Sequence, residues 1–150
     1  MTILRLSLPS RVTCESACPR PRPRRHGTPC STDESAQAQA FSQAKDTFGP
    51  VLDGLILNAG TLQPLARIGD PSVPLDAWKN HFDVNFFSLV SALKVALPAL
   101  RTSPNTGRVI FISSGAATGQ TPGWAPYNAA KAAMNSLARY SHSPTRSRKV

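Results

Sequence analysis

Two short apolar runs, Leu52-Asp53-Gly54-Leu55-Ile56-Leu57 and Val109-Ile110-Phe111-Ile112, constrain the fold most, because long helical stretches bracket both. Each reads as a buried strand of a parallel sheet, the first over 52–57 and the second over 108–112. Residues 35–48 predict a helix with Phe41, Ala44 and Phe48 on one face, stopped by Gly49-Pro50. Thr61 to Val73 is a loop with Pro64 and Pro71, and Pro74 opens a long helix. At a steady helical period its apolar side takes in Trp78, Phe82, Phe86, Val90, Leu93 and Leu97. Its length suits a crossover packed on a sheet. A last helix opens at Pro126, a residue suited to the first turn, and runs on through Ala129, Ala130, Ala132, Ala133, Met134 and Leu137. Strands and helices in alternation are the pattern of an α/β protein.

Charge divides the chain differently. Of the formal +9, residues 1–30 carry +5 and residues 141–150 carry +3, leaving +1 between them. Basicity on this scale raises nucleic acid as a partner. However, no aromatic is interleaved with the arginines, and Pro19 to Arg25 is too proline-rich for a recognition helix. We therefore expect no specific nucleic-acid binding and no membrane partner. Three organisational units follow: a basic Pro/Arg-rich segment 1–30, disordered or foreign to the rest, a folded part 31–140, and a basic disordered tail 141–150. Thr2 to Leu8 could still form a short strand.

Cys14, Cys18 and Cys30 all fall in the first segment, beside His26. Their spacing fits no common zinc module, and three cysteines cannot pair fully, so no metal site is expected. The Arg-rich, acid-poor start shares its composition with mitochondrial transit peptides, but five prolines in thirty residues oppose the amphipathic helix such a peptide needs. No long apolar run reads as a secretory signal or membrane span, and a cytoplasmic location is the default expectation.

Chemistry concentrates late in the chain. The second strand delivers Ser113-Ser114, and thirteen residues after Ser114 comes Tyr127-Asn128-Ala129-Ala130-Lys131. Tyr127 and Lys131 share one face of their helix. A phenol ionises near pH 10, so acid/base work near neutrality needs a downward shift, and a neighbouring ammonium favours the phenolate. A hydroxyl at Ser114 can hydrogen-bond a carbonyl or alcohol oxygen and stabilise charge developing there. The three groups suit carbonyl reduction or alcohol oxidation. An alanine-rich core helix with an exposed lysine, after a serine-terminated strand, fits the same spacing. Trp124 suits a pocket wall or the core equally.

Two further motifs precede these, Asn58-Ala59-Gly60 at the end of the first strand and Val84-Asn85 in the long helix. Taken in order with Ser114 and Tyr127-x-x-x-Lys131, they closely resemble the short-chain dehydrogenase/reductase family over about residues 31–140. The resemblance implies an incomplete doubly wound, Rossmann-like parallel sheet with irregular basic tails. It implies NAD(P) as cofactor and a small carbonyl or alcohol as substrate. It allows a homo-oligomer but leaves the oligomeric state open, since the family's usual contacts use the helix of Asn85, the helix of Tyr127 and later elements. By similarity, Tyr127 is the acid/base, while Lys131 lowers its pKa and binds the nicotinamide ribose. Ser114 orients the substrate oxygen, and Asn85 holds a bulged helix and a relay water. Asn58, Ala59 and Gly60 steady the strand and lie beside the cofactor. Leu57 stands where the family usually has a second asparagine.

The family's opening strand, glycine-rich turn and helix find no counterpart. Gly27 is the only glycine before Gly49, and Gly115, Gly119 and Gly123 follow the wrong strand. The acidic residue that would reach the adenine falls near Cys30, so the choice between NAD and NADP has no determinant here. Two strands are also too few for such a sheet, and an exposed edge on 52–57 is expected. These features predict a catalytic-segment fragment with foreign ends, from splicing, a gene-structure error or a pseudogene. The chain alone is expected to be inactive, a non-catalytic fragment or a pairing partner of a full-length relative.

Overall fold

The computed structural model describes the backbone of residues 3–6 and the chain over residues 32–142. Cys14, Cys18, Cys30, His26 and Gly27 lie outside the described residues, as does the tail beyond residue 142. Three strands, β1 (Ile3–Leu6), β2 (Gly54–Leu57) and β3 (Arg108–Phe111), form one parallel sheet in the order β1-β2-β3. Ile3 pairs with Gly54, and Gly54 in turn with Arg108. The fold is α/β with a small parallel sheet. The expected bare edge on 52–57 is corrected, because β1 occupies one side of β2 and β3 the other.

Helix α1 (Glu34–Phe48) begins where Asp33 accepts hydrogen bonds from the backbone N–H groups of Ser35 and Ala36, at 2.9 and 3.2 Å. It ends at Gly49, whose positive φ of 91° suits glycine and turns the chain toward β2. Its buried side begins with Ala36 and Gln37 and continues through half-buried Phe41. Phe48, predicted on that face, is 68% exposed, because the helix runs past the edge of the core in its last turn.

The predicted long helix is one continuous rod with a wide turn inside it. Helix α2 (Leu75–Phe82) passes into a π-helical turn (Asp83–Phe87) and then into α3 (Ser88–Arg101). In the wide turn the Ser88 N–H reaches back five residues to the Asp83 carbonyl. One extra residue per turn rotates everything downstream by about 100° relative to a uniform α-helix. Burial after the turn accordingly falls on Ser88, Leu89, Ala92, Leu93, Ala96 and Leu100, while Phe86 is half-buried and Phe87 exposed. This corrects the uniform stripe that the sequence suggested. An 18-residue window of the 27-residue rod reaches a mean hydropathy of 1.4, long and apolar enough to span a membrane, contrary to the reading that no such run exists. Half of that window is buried inside the protein, as in a core helix.

The core joins Leu52, Leu55 and Leu57 to Leu89, Ala92, Leu93, Ala96 and Leu100 of α3 and to Met134 of α4 (Ala125–His142). Phe41, Val109, Phe111 and Leu137 pack against its rim. Alternation along the strands sends the intervening side chains to the other side of the sheet, where Ile110 and Ile112 are 51% and 42% exposed.

Between α3 and β3 the chain turns back against itself. Asp53 Oδ1 accepts from Ser103 Oγ at 2.7 Å and from Asn105 Nδ2 at 3.1 Å, and its carbonyl accepts from Arg108 N–H at 2.9 Å. Gly107 passes so close to the Leu100 carbonyl that a side-chain carbon there would overlap it. Gly107→Ala should therefore cost about 1–3 kcal/mol through forced backbone shifts, read as a lower urea midpoint, whereas Gly69→Ala, at an open position, should leave the midpoint unchanged. Equal midpoints for the two variants would show that the turn has slack.

Candidate active site

Lys131 organises the site from α4. Its side chain is 95% buried yet charged, and its Nζ donates to the Ile112 carbonyl at 2.9 Å, just past the end of β3. That bond anchors α4 on the sheet end by a charge-assisted contact. Burial holds the Lys131 pKa below the ordinary lysine value. The same ammonium lies 5.6 Å from the centroid of the Tyr127 ring, one helical turn earlier. Nζ has three protons, so the Ile112 carbonyl leaves donors to spare.

Asn58 and Ala59 continue directly from β2, Asn58 half-buried and Ala59 buried. Gly60 is where the loop meets the other elements. A side-chain carbon at Gly60 would stand 3.0 Å from Asn85 Oδ1 and 3.7 Å from Lys131 Nζ, so only glycine leaves that space open. Asn85 itself is fully buried in the wide turn of the rod. Its Oδ1 accepts from Thr61 N–H at 3.1 Å, and its Nδ2 lies 3.0 Å from the carbonyls of both Thr61 and His81. The amide thus clamps the loop after β2 to the rod.

Ser114 follows β3 and caps the short 3₁₀ turn Gly115–Ala117, its Oγ accepting from Ala116 N–H at 3.2 Å. Accepting there leaves the hydroxyl proton available to a ligand oxygen. Ser113 faces elsewhere and donates to Asn135 Oδ1 at 2.6 Å. The 3₁₀ turn packs on α4, which brings the Ser114 segment to the helix that carries Tyr127. Of the residues predicted from sequence, Gly60, Asn85, Tyr127 and Lys131 are gathered through named contacts, and Ser114 reaches them through its turn.

Three participants were not singled out in advance. His81 is buried, with its ring 6.1 Å from the Tyr127 ring in an edge-to-face arrangement. Gln63 supplies a carbonyl 2.7 Å from His81 Nδ1. Thr61 is the backbone partner of Asn85. The signal for His81 was its place four residues before Asn85, on the same helical face. Trp124 packs edge-to-face on Tyr127 with centroids 5.8 Å apart, and a bridge from Ala66 to Trp124 joins the two loops there. A groove of about 290 Å³ between α1 and α3, near Phe41, Lys45 and Val95, includes none of these groups.

Because Asn85 satisfies backbone groups on two segments, Asn85→Leu should destabilise the fold by about 2–4 kcal/mol through unpaired buried polar groups. Chemical denaturation measures this, and an unchanged stability would mean that the loop finds other partners.

A family profile described as short chain dehydrogenase matches residues 25–150. A benzil reductase ((S)-benzoin forming) of Saccharomyces cerevisiae is 39% identical over 109 residues, covering 71% of this chain and 41% of the relative. The crystal structure of a short-chain dehydrogenase/reductase from Saccharomyces cerevisiae superposes with a TM-score of 0.67 at 36% identity, over 72% of this chain and 41% of that one. An NADH-dependent reductase complexed with NAD gives a TM-score of 0.66 at 28% identity, over 73% of this chain and 46% of that one. The chain thus spans less than half the length of these relatives.

Proposed function

The chain belongs to the short-chain dehydrogenase family, and from that premise we propose that its residues 54–142 handle the proton in the interconversion of a small carbonyl compound and its alcohol with NAD or NADP. The observation that carries this reading is the placement of Lys131 Nζ, anchored on the Ile112 carbonyl, between Gly60 and the Tyr127 ring. The open space at Gly60 beside a buried cation with unused donors fits the ribose end of a nicotinamide nucleotide. Lys131 and Tyr127 would hold that end. When bound, the nicotinamide supplies the hydride. Tyr127 gives the proton to the substrate oxygen in reduction and takes it back in oxidation, with the positive charge of Lys131 stabilising the negative charge that builds on the phenol oxygen. Ser114 donates a hydrogen bond to the same substrate oxygen. The benzil reductase among the relatives makes an aromatic diketone a reasonable first substrate to try.

The pyrophosphate end is different. No glycine-rich turn precedes β2 in this sequence, so affinity for a full dinucleotide should be poor. A second reading, in which the chain works by pairing with another polypeptide, is favoured by the exposed Ile110 and Ile112 on the sheet.

Reduced nicotinamide mononucleotide, which lacks the adenosine half, separates these requirements. It should shift the backbone amide signals of Gly60 and Lys131 in NMR spectra, and Lys131→Met should abolish the effect. Shifts confined to other residues would overturn the placement. With NADPH or NADH and benzil, Tyr127→Phe should lower any turnover by about 100-fold or more; an unchanged rate would remove Tyr127 from the reaction.

A further inference from the structure

His81 has no part in the proton transfer described so far, yet it is 99% buried at the centre of the site. Both of its ring nitrogens face partners. Nδ1 lies 2.7 Å from the Gln63 carbonyl, which can only accept, so Nδ1 carries the ring proton. Nε2 lies 3.1 Å from Asn85 Nδ2 and presents its lone pair to that donor. The far end of the same amide is held just as firmly, because Thr61 N–H can only donate, which requires Oδ1 there. Two backbone groups on one loop, Gln63 O and Thr61 N–H, therefore determine both the histidine tautomer and the direction of the Asn85 amide.

We propose that His81 is a positioning residue of this site: as the neutral Nδ1–H tautomer it reinforces the orientation that Thr61 gives the Asn85 amide beside Gly60 and Lys131, and it packs edge-on against the Tyr127 ring. The inference rests on the function proposed above only for its effect on turnover. A protonated His81 would point an Nε2–H at Asn85 Nδ2, donor against donor. Rotating the amide to relieve that clash would turn Nδ2 toward Thr61 N–H, again donor against donor. The two Nδ2 protons thus share three acceptors, the Thr61 and His81 carbonyls at 3.0 Å and a neutral His81 Nε2 at 3.1 Å, and protonation of the ring replaces the third with a competing donor.

The surroundings favour that state. Burial lowers the His81 pKa from its ordinary value, the Gln63 hydrogen bond works against the shift, and the Lys131 charge adds to it. From α4 the facing titratable groups are Tyr127 and Lys131. The loop from Thr61 to Ala66 has no titratable side chain, and the nearby pair Lys79–Asp76 on α2 is exposed. Since the folded-state pKa lies below the unfolded value, the unfolded chain binds more protons between the two. Stability should therefore be full above about pH 6.5 and fall as the pH drops from there through the folded-state value.

The test combines NMR with two variants of the full chain. Imidazole ¹⁵N shifts should show His81 as the Nδ1–H tautomer with a midpoint below that of an ordinary histidine. An Nε2–H tautomer, or a midpoint at or above the ordinary value, overturns the proposal. His81→Gln keeps an acceptor toward Asn85 and cannot become cationic; His81→Leu fills the space without one. Exchange of the Thr61 amide proton should accelerate about tenfold or more in His81→Leu, the scale of one buried hydrogen bond, and stay near the parent rate in His81→Gln. Equal protection in His81→Leu and the parent overturns the proposal. On acidification, Thr61 protection should fall in the parent and hold in His81→Gln, and any turnover should lose its acid limb in that variant. Parallel loss in both proteins overturns it. Should His81→Leu not fold, the parent titration and His81→Gln still decide. Should no variant turn over substrate, the function fails while the tautomer and Thr61 exchange still judge His81.

Discussion

The buried amide of Asn85 is the contact on which the site depends. It satisfies both backbone groups of Thr61 and reaches His81 within its own rod. Without it, the loop that leaves β2 would be held to the rod through the Gln63 carbonyl and His81 but not at Thr61. That loop carries Gly60, whose missing side chain leaves Lys131 Nζ and Asn85 Oδ1 free to approach the same space. A wide helical turn makes the arrangement possible, since it places Asn85 inward while the residues beyond it resume the core-facing stripe. The local departure from ideal helix geometry sits where the chemistry needs a side chain aimed differently from its neighbours.

Much of the fold could be read from the chain because the hydrophobic pattern carries it. The unbroken apolar runs at 52–57 and 108–112 become adjacent parallel strands β2 and β3, and Gly49 and Pro74 punctuate the helices where expected. What pattern could not supply is the phase change in the rod. A hydrophobic period is an average over turns, and one extra residue shifts the later stripe without altering composition. Phe86 and Val90, expected on the buried stripe, are only half-buried for that reason. Strand β1 was read only as an option, because Ile3–Leu6 is followed by proline and arginine that carry no further strand signal, and its place is set by pairing with β2.

The site was legible to a similar depth. Spacing alone puts Tyr127 and Lys131 on one helical face, and Ser114 at a strand end follows from β3. The anchoring of Lys131 on the Ile112 carbonyl was not legible, since it joins a helix to a strand end nineteen positions away. His81 escaped attention because a histidine on a helix with apolar neighbours has no motif of its own. Its meaning comes from Gln63 and Thr61, which approach only after the loop folds back onto the rod.

These contacts also explain why the proton-handling groups can be treated apart from the grip on a dinucleotide. Lys131, Asn85, His81 and Thr61 are held by bonds to backbone or to one another, all within residues 61–131. None of those bonds passes through a glycine-rich turn. The energy that orders the site comes from burying α3 and α4 against β2 and β3, and from the satisfied amide between them. Order at the nicotinamide end and affinity for the phosphates are separate properties of such a protein. A chain can hold the first through its own packing while depending on other contacts for the second.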